Sequence, residues 1–323
     1  MNDIIFSVVI GRWLKEIVMI ECFKIQLLSF DREYDILDIK KGKGIFTVPC
    51  LPSKMAWNPT IIEADPFLFV KNEKLYLFYE SKDFFSPGVI MMTCTADLEK
   101  WSKPVVVLKE SFHLSYPWVF EEEGKIYMVP ETGSDKSIRL YEAVNDDLTE
   151  FRLVKKLLEQ PRDVVCRIGY GDTSIYKKEG KYYLMTMLQH EEPVNILELY
   201  VSDALEGPYL PHPCSPIAKD NKIGRDAGCW LDLCGKLLRF SQDCVCRYGD
   251  NVNVSEITKL SPTEYEEHLI QEKIIPTDVP FYKEGGHQIN AVSFNGKWIV
   301  ATDAKEYHRM LWHRVIRKII SYI

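Results

Sequence analysis

Alternating apolar and polar residues recur along this chain in one repeated format. Five times an alternating run reaches a Gly, Asn or Glu turn, meets a lysine and returns as a second alternating run. The copies are ADPFLFVKNEKLYLFYE (Ala64 to Glu80), YPWVFEEEGKIYMVPE (Tyr116 to Glu131), GDTSIYKKEGKYYLMTM (Gly171 to Met187), RDAGCWLDLCGKLLRFSQ (Arg225 to Gln242) and HQINAVSFNGKWIVATD (His287 to Asp303). Period-2 alternation on both sides of a turn predicts a β-hairpin. Anchored on Lys74, Lys125, Lys181, Lys236 and Lys297, successive copies lie 51, 56, 55 and 61 residues apart. Further strand candidates fill the intervals: Gly88 to Leu98, Ser137 to Val144, Asn195 to Leu205 and Asn251 to Leu260. Each repeat therefore reads as a four-stranded antiparallel blade, and five of them predict an all-β fold, a five-bladed β-propeller.

The flanks lack the repeat. Residues 1–55 form a leader expected to pack on the propeller, residues 56–304 the propeller itself, and residues 305–323 a C-terminal helix. The first thirty residues are apolar in pieces, but Asp3 comes early and Arg12 and Lys15 interrupt the run. That pattern makes a poor signal peptide and too broken a membrane span, so a cytoplasmic location is the expectation. In the last segment Met310, Leu311, Val315, Ile319 and Tyr322 share one helical face, and Arg309, Arg314, Arg317 and Lys318 make the rest basic. Such a helix either caps its own domain or makes a peripheral contact with an anionic membrane, here the inner membrane.

Composition narrows the partners. The 323 residues carry a net charge of −7, which argues against general affinity for nucleic acid. Nine cysteines at irregular spacing include no paired C-x2-C set, so free thiols are expected rather than zinc. No cofactor is expected, although carboxylates gathered at a channel could ligate a calcium ion.

The register of the repeat places candidate chemistry. A hairpin returns to the edge from which it started, so residues nine before and six after each turn lysine share one rim. The first set holds Asp65, Tyr116 and Asp172, with Asp226 and His287 one residue displaced. The second holds Glu80, Glu131, Met187, Gln242 and Asp303. First strands of propeller blades line the central channel, so these groups should converge on its mouth. Trp57, Tyr116, Trp118, Tyr170 and Trp230 lie near the same phrase starts. There they could stack on a pyranose or serve as blade core. Arg167 and Arg225 could bind a phosphate or carboxylate, or could pair with the rim acids.

The five-blade pattern with its Ala64-Asp65-Pro66 start resembles the propellers of the family 43 glycosidase superfamily. More closely, Trp57 to Phe69 with LYLFYE, then YPWVF with IYMVPET, is similar to the N-terminal domain of plant glucosamine inositolphosphorylceramide transferases and its bacterial stand-alone relatives. The resemblance spans about residues 45–304. It implies that Asp65 matches the catalytic base of the glycosidases, with Glu131 as candidate acid and Asp172 as candidate modulator; blade two offers Tyr116 where an Asp would be expected. The leading expectation is a glycosidase-like protein using paired carboxylates, with retention at a separation of about 5–5.5 Å and inversion at about 6.5–9.5 Å. Trp57, Glu80, Tyr116, Trp118, Arg167, Arg225, Asp226, His287 and Asp303 would surround the substrate, a carbohydrate or glycolipid. The alternatives are a non-catalytic glycan- or glycolipid-binding module in cell-surface polysaccharide synthesis, and a scaffold for protein partners.

Overall fold

A computed structural model describes residues 19–160 and 166–320, the side chains of 317–320 excepted. The signal-peptide reading of the first residues, the position of Tyr322 and the side chain of Ile319 lie outside what is described. Two strands come first, β1 (Met19–Phe30) and β2 (Lys43–Val48). A first meander follows: β3 (Thr60–Lys71), β4 (Lys74–Asp83), β5 (Val89–Thr95) and β6 (Val105–Leu108). The second runs through β7 (Ser115–Glu122), β8 (Lys125–Glu131), β9 (Ser137–Ala143) and β10 (Phe151–Glu159). The third has β11 (Ile168–Lys178), β12 (Lys181–Gln189) and β13 (Ile196–Ser202), edged by the short β14 (Leu210–Pro211) and β15 (Ala218–Lys219). The fourth has β16 (Leu231–Leu233), β17 (Lys236–Asp243), β18 (Asn251–Leu260) and β19 (Tyr265–Gln271). A last hairpin, β20 (Ile289–Phe294) and β21 (Lys297–Arg309), leads into helix α1 (Leu311–Ile320).

The five hairpins form where the lysine-anchored phrases put them, and the backbone shows why. Each turn has two consecutive residues at positive φ: Asn72–Glu73, Glu123–Gly124, Glu179–Gly180, Cys234–Gly235 and Asn295–Gly296. That is the type I′ geometry whose twist matches the flanking strands, and the lysine is the first residue after it.

The last hairpin has no downstream strands to complete a sheet. Part of the expected leader supplies them. β1 pairs antiparallel with β21 from Met19↔Arg309 to Phe30↔Trp298, and β2 pairs with β1. The fifth sheet thus runs β20-β21-β1-β2, and a parallel bridge, Phe23↔Ile62, joins it to the first.

Strand alternation then builds a ring. On β4, Tyr76 and Phe78 face the second sheet, while Leu75, Leu77 and Tyr79 face the fifth. On β8, Ile126 and Met128 face the first sheet and Tyr127 and Val129 the third. Tyr183 and Met185 of β12 meet Trp230 and Ile257 of the fourth sheet, and Phe240 and Val254 meet Ile289 and Val300 of the fifth. Five apolar clusters therefore lie one between each pair of successive sheets, which is the packing of a closed propeller.

The end of the chain departs from expectation in two respects. Strand β21 continues to Arg309 before the helix begins. The helix also seats a different face: Met310 and His313 are buried, whereas Leu311 and Val315 are exposed. His313 fixes this rotation, with Nε2 2.8 Å from the Ala56 carbonyl oxygen and its ring edge-on to Phe84.

Candidate functional site

At the channel, pairing in the first three sheets slips at the same place. Ala64 pairs with Glu80, but Phe67 pairs with Phe78. Ser115 pairs with Glu131, but Trp118 with Val129. Gly171 pairs with Met187, but Ser174 with Met185. One extra residue on the inner strand makes a β-bulge each time. Its first residue, Asp65, Tyr116 or Asp172, takes φ of 51°, 47° or 45°. The left-handed region is costly for residues other than glycine and is held where surrounding structure enforces it, often at functional sites. These three residues are the ones nine before the turn lysines, and the bulge gathers them at the axis.

Asp65 is buried on the side of the fifth sheet. Its Oδ2 accepts a hydrogen bond from the Tyr116 amide (3.1 Å), and its Oδ1 lies 3.4 Å from His287 Nε2. His287 Nδ1 in turn lies 2.6 Å from Asp303 Oδ2, and Asp303 Oδ1 accepts the amides of His287 and Gln288. Burial pushes the Asp65 carboxyl up to about 6, with His287 easing it back. Burial works against a charged His287 imidazole, yet Asp303 and Asp65 hold its pKa above the ordinary value.

Asp172 is the anchor on the opposite side. Arg225 Nε and Gln242 Nε2 (2.7 Å) both donate to its Oδ2. The Arg225 Nη2 also lies 3.6 Å from Glu131 Oε2, which accepts the Asp172 amide at 3.2 Å. Burial, then the charge of Asp172, raises Glu131 well above the usual carboxylate range against the pull of Arg225. Glu80 is raised by burial and by Asp65, with His113 Nε2 3.5 Å away.

Tyr116 does structural work across the axis. Its hydroxyl donates to the Gly228 carbonyl oxygen (2.8 Å) and accepts from the Gly228 amide (3.0 Å), tying the second sheet to the fourth. A side chain at Gly228 is impossible: its Cβ would stand 1.8 Å from the Ile289 carbonyl oxygen. On the turn side of Asp65, Phe67, Tyr116 and Trp118 pack together in one buried cluster. The carboxylates therefore face the end of the ring opposite the turn lysines.

The remaining candidates separate. Asp226 is held by Arg239 Nη1 at 3.0 Å, and Arg239 is clasped by both oxygens of Glu267 at 2.7 Å, with Asp226 and Arg239 fully buried and Glu267 half-buried. Trp57 is 67% exposed and stacks on Phe85, outside the buried carboxylate group. Trp118, Tyr170 and Trp230 are core residues. Arg167 is exposed on the third sheet, lining a cleft next to Arg225. The register also predicted no role for Tyr248, from the loop after β17. Its ring lies 5.1 Å from that of His287, and Arg225 lies 5.2 Å from its centre. The residue is 41% exposed overall, yet desolvation raises its phenol against the pull of Arg225, as do the charges of Asp65, Asp172 and Glu131. Only the Tyr248-Gly249 pair in a polar loop hints at it in the sequence. Of these groups, Asp65, His287 and Asp303 could hold a metal ion, their ligand atoms all lying within 4.8 Å of one another.

Bulged inner strands that bring Asp and Glu together at the axis, in a ring of antiparallel sheets, define a β-propeller with an acidic cluster at its channel. Solved structures agree on the fold. A mutant form of the GH43 protein BlXynB from Bacillus licheniformis aligns at TM-score 0.52 and 18% identity, over 73% of this chain and 48% of that one. A family 117 glycoside hydrolase from Zobellia galactanivorans aligns at TM-score 0.53 and 13% identity, over 81% and 92%. The chain belongs to the family described as glucosamine inositolphosphorylceramide transferase 1, N-terminal, which matches residues 45–304. Glucosamine inositolphosphorylceramide transferase 1 of Oryza sativa subsp. japonica is 34% identical over 216 residues, 65% of this chain and 28% of its own length. The Arabidopsis thaliana protein of the same name is 33% identical over 249 residues, 74% and 30%. The chain thus spans about three-tenths of these relatives.

Proposed function

We propose that this propeller acts on a glycosidic bond at its channel mouth, with Asp65 as base and Glu131 as acid. The observation that carries this reading is that the bulges bring Asp65 and Asp172 to the axis, where the Asp172 amide donates to Glu131 Oε2 at 3.2 Å. Burial and the charge of Asp172 raise Glu131 well above the usual carboxylate range, and burial pushes Asp65 up to about 6, which suits the two to unlike roles. Asp65 would take a proton from an attacking water, and Glu131 would give one to the leaving oxygen. Asp172, locked by Arg225 and Gln242, would set the orientation and charge of Glu131. The test is a screen of glycans and glycolipids for binding and turnover, followed by Asp65→Asn and Glu131→Gln on any hit. Turnover retained in Asp65→Asn defeats the mechanism.

A non-catalytic binding module is the second reading. What favours it is that Asp172 and Asp65 already have protein partners, Arg225 and Gln242 for one, His287 and the Tyr116 amide for the other. A ligand bound with unchanged affinity by Asp65→Asn, and turned over by neither protein, would favour this reading.

Two observations support a lipid-borne glycan as the ligand class. The relatives are named for inositolphosphorylceramide. Helix α1 and the loop before β3 also stand at the mouth end of the ring, with Met55 95%, Trp57 67% and Trp312 75% exposed. Arg309 and Arg314 are exposed beside them, and residues 307–323 contain no Asp or Glu. An apolar and cationic surface of this kind suits an anionic bilayer.

A further inference from the structure

Beside the carboxylate group, between the third and fourth sheets, lies a cleft of about 490 Å³. Its polar lining is Arg167, Gln189, Asn195, Asn221, Arg225 and Tyr248. Among the described residues no carboxylate is in its lining, although the chain as a whole carries a net charge of −7. The two arginines differ in what they have left to offer. Arg225 is shared between Asp172 and Glu131. The exposed guanidinium of Arg167 has no side-chain partner among the described residues, and only its backbone amide is engaged, donating to the Gln189 carbonyl oxygen at 2.8 Å.

The carboxamides are ordered by one another. Gln189 Nε2 donates to Asn195 Oδ1 (2.6 Å), Asn221 Oδ1 accepts the Asn195 amide (3.0 Å), and Asn221 Nδ2 donates to the Pro193 carbonyl oxygen (3.1 Å). They form a preset polar wall, and the Tyr248 ring supplies an aromatic one. A cleft with an unspent cation, fixed amides, an aromatic edge and no acid among its described lining residues matches one ligand chemistry: a sugar unit carrying an anionic substituent. Arg225 borders both this cleft and the carboxylate group, so a sugar held here would adjoin the bond placed at Asp65 and Glu131.

We infer that this cleft is an anionic-sugar subsite, in which Arg167 receives the phosphate or carboxylate of a sugar next to the one handled in the channel. The inference rests on the carbohydrate reading above for the sugar, but not for the anion. Phosphate and uronate are the two sources of the charge, and the probes separate them. Titration calorimetry would use glucose 1-phosphate, glucuronate, glucose and inorganic phosphate against the full chain, its Arg167→Gln variant and its Arg167→Lys variant.

The expected result is tighter binding of one charged sugar than of glucose. That preference should fall about tenfold in Arg167→Gln, be partly kept in Arg167→Lys, and weaken with added salt. Arg167 is exposed, so both variants should melt like the parent, and melting curves check this. Inorganic phosphate bound only through Arg167, with no sugar bound at all, would uphold the anion site while defeating the carbohydrate reading. Equal affinity for charged and neutral sugars, or charged-sugar binding untouched in Arg167→Gln, overturns the subsite.

Discussion

At the scale of single residues, the decisive groups are those whose charge depends on burial. For Asp65 the folded carboxyl, at about 6, binds its proton more tightly than an ordinary one at 3.8. Between those values the folded chain holds a proton that the unfolded chain has released, so stability falls as pH rises through the window. Replacing Asp65 by Asn removes this term. The melting temperature of the variant minus that of the parent should therefore become more positive between pH 4 and 7; a difference constant with pH contradicts the assignment. If Asp65 is the base, activity should rise as pH passes about 6 and fall only when Glu131 loses its proton. Arg239 tests a different matter. It is fully buried between Asp226 and Glu267, and Arg239→Leu leaves those acids uncompensated, so it should cost about 3–5 kcal/mol in denaturant unfolding. The sequence revealed Asp65, Asp172, Glu131, His287 and Asp303 because hairpin register fixes which rim a residue reaches. It could not reveal that Asp226 serves Arg239, whose place in β17 follows the same alternation as its apolar neighbours. Nor could it place Trp57, since loop residues ahead of a strand are not bound by its register.

At the scale of elements, the hairpin turn explains both the repeat and one of its weak points. Four of the five I′ turns end in glycine, but the first ends in Glu73, at φ 58°. The left-handed conformation costs a side-chain-bearing residue about 1–2 kcal/mol, and glycine's looser unfolded state returns about 0.5–1. Glu73→Gly should therefore stabilise the protein by about 0.5–1 kcal/mol, seen as a higher denaturation midpoint with an unchanged m-value. The third strands of the first four sheets were readable as alternating runs. The identity of the fifth sheet's third strand was not: β1 alternates like any strand, but its partner β21 lies at the far end of the sequence, and alternation carries no address. Helix α1 shows the same limit. Its apolar spacing was plain, yet the buried side is chosen by His313 reaching Ala56, a contact no periodicity encodes.

At the scale of the whole molecule, orientation becomes the question. β3 begins and β21 finishes at one end of the ring, opposite the turn lysines. That is the end the carboxylates face, and it carries the exposed Met55, Trp57 and Trp312. No described helix is long and apolar enough to cross a membrane. Vesicles containing phosphatidylserine should co-sediment the protein, and neutral phosphatidylcholine vesicles should do so much less. The double variant Trp57→Ser with Trp312→Ser should lose most of the binding while keeping its fold. Equal recovery of parent and double variant with anionic vesicles rules out this face as the contact.

The strand exchange that completes the fifth sheet bears on the order in which the protein can assemble. Among the described strands β1 and β2 leave the ribosome before the others, and β21 after them. Until then β1 offers an unpaired apolar edge, and the four internal sheets can stack only as an open arc. Ring closure is thus the most sequence-distant event in the fold and should be among the slowest. The carboxylate group depends on it, because Asp303 and His287 arrive with the final hairpin. A nascent or truncated chain would already possess Asp65, Glu131 and Asp172, yet the site would be finished only by the same step that locks the ring.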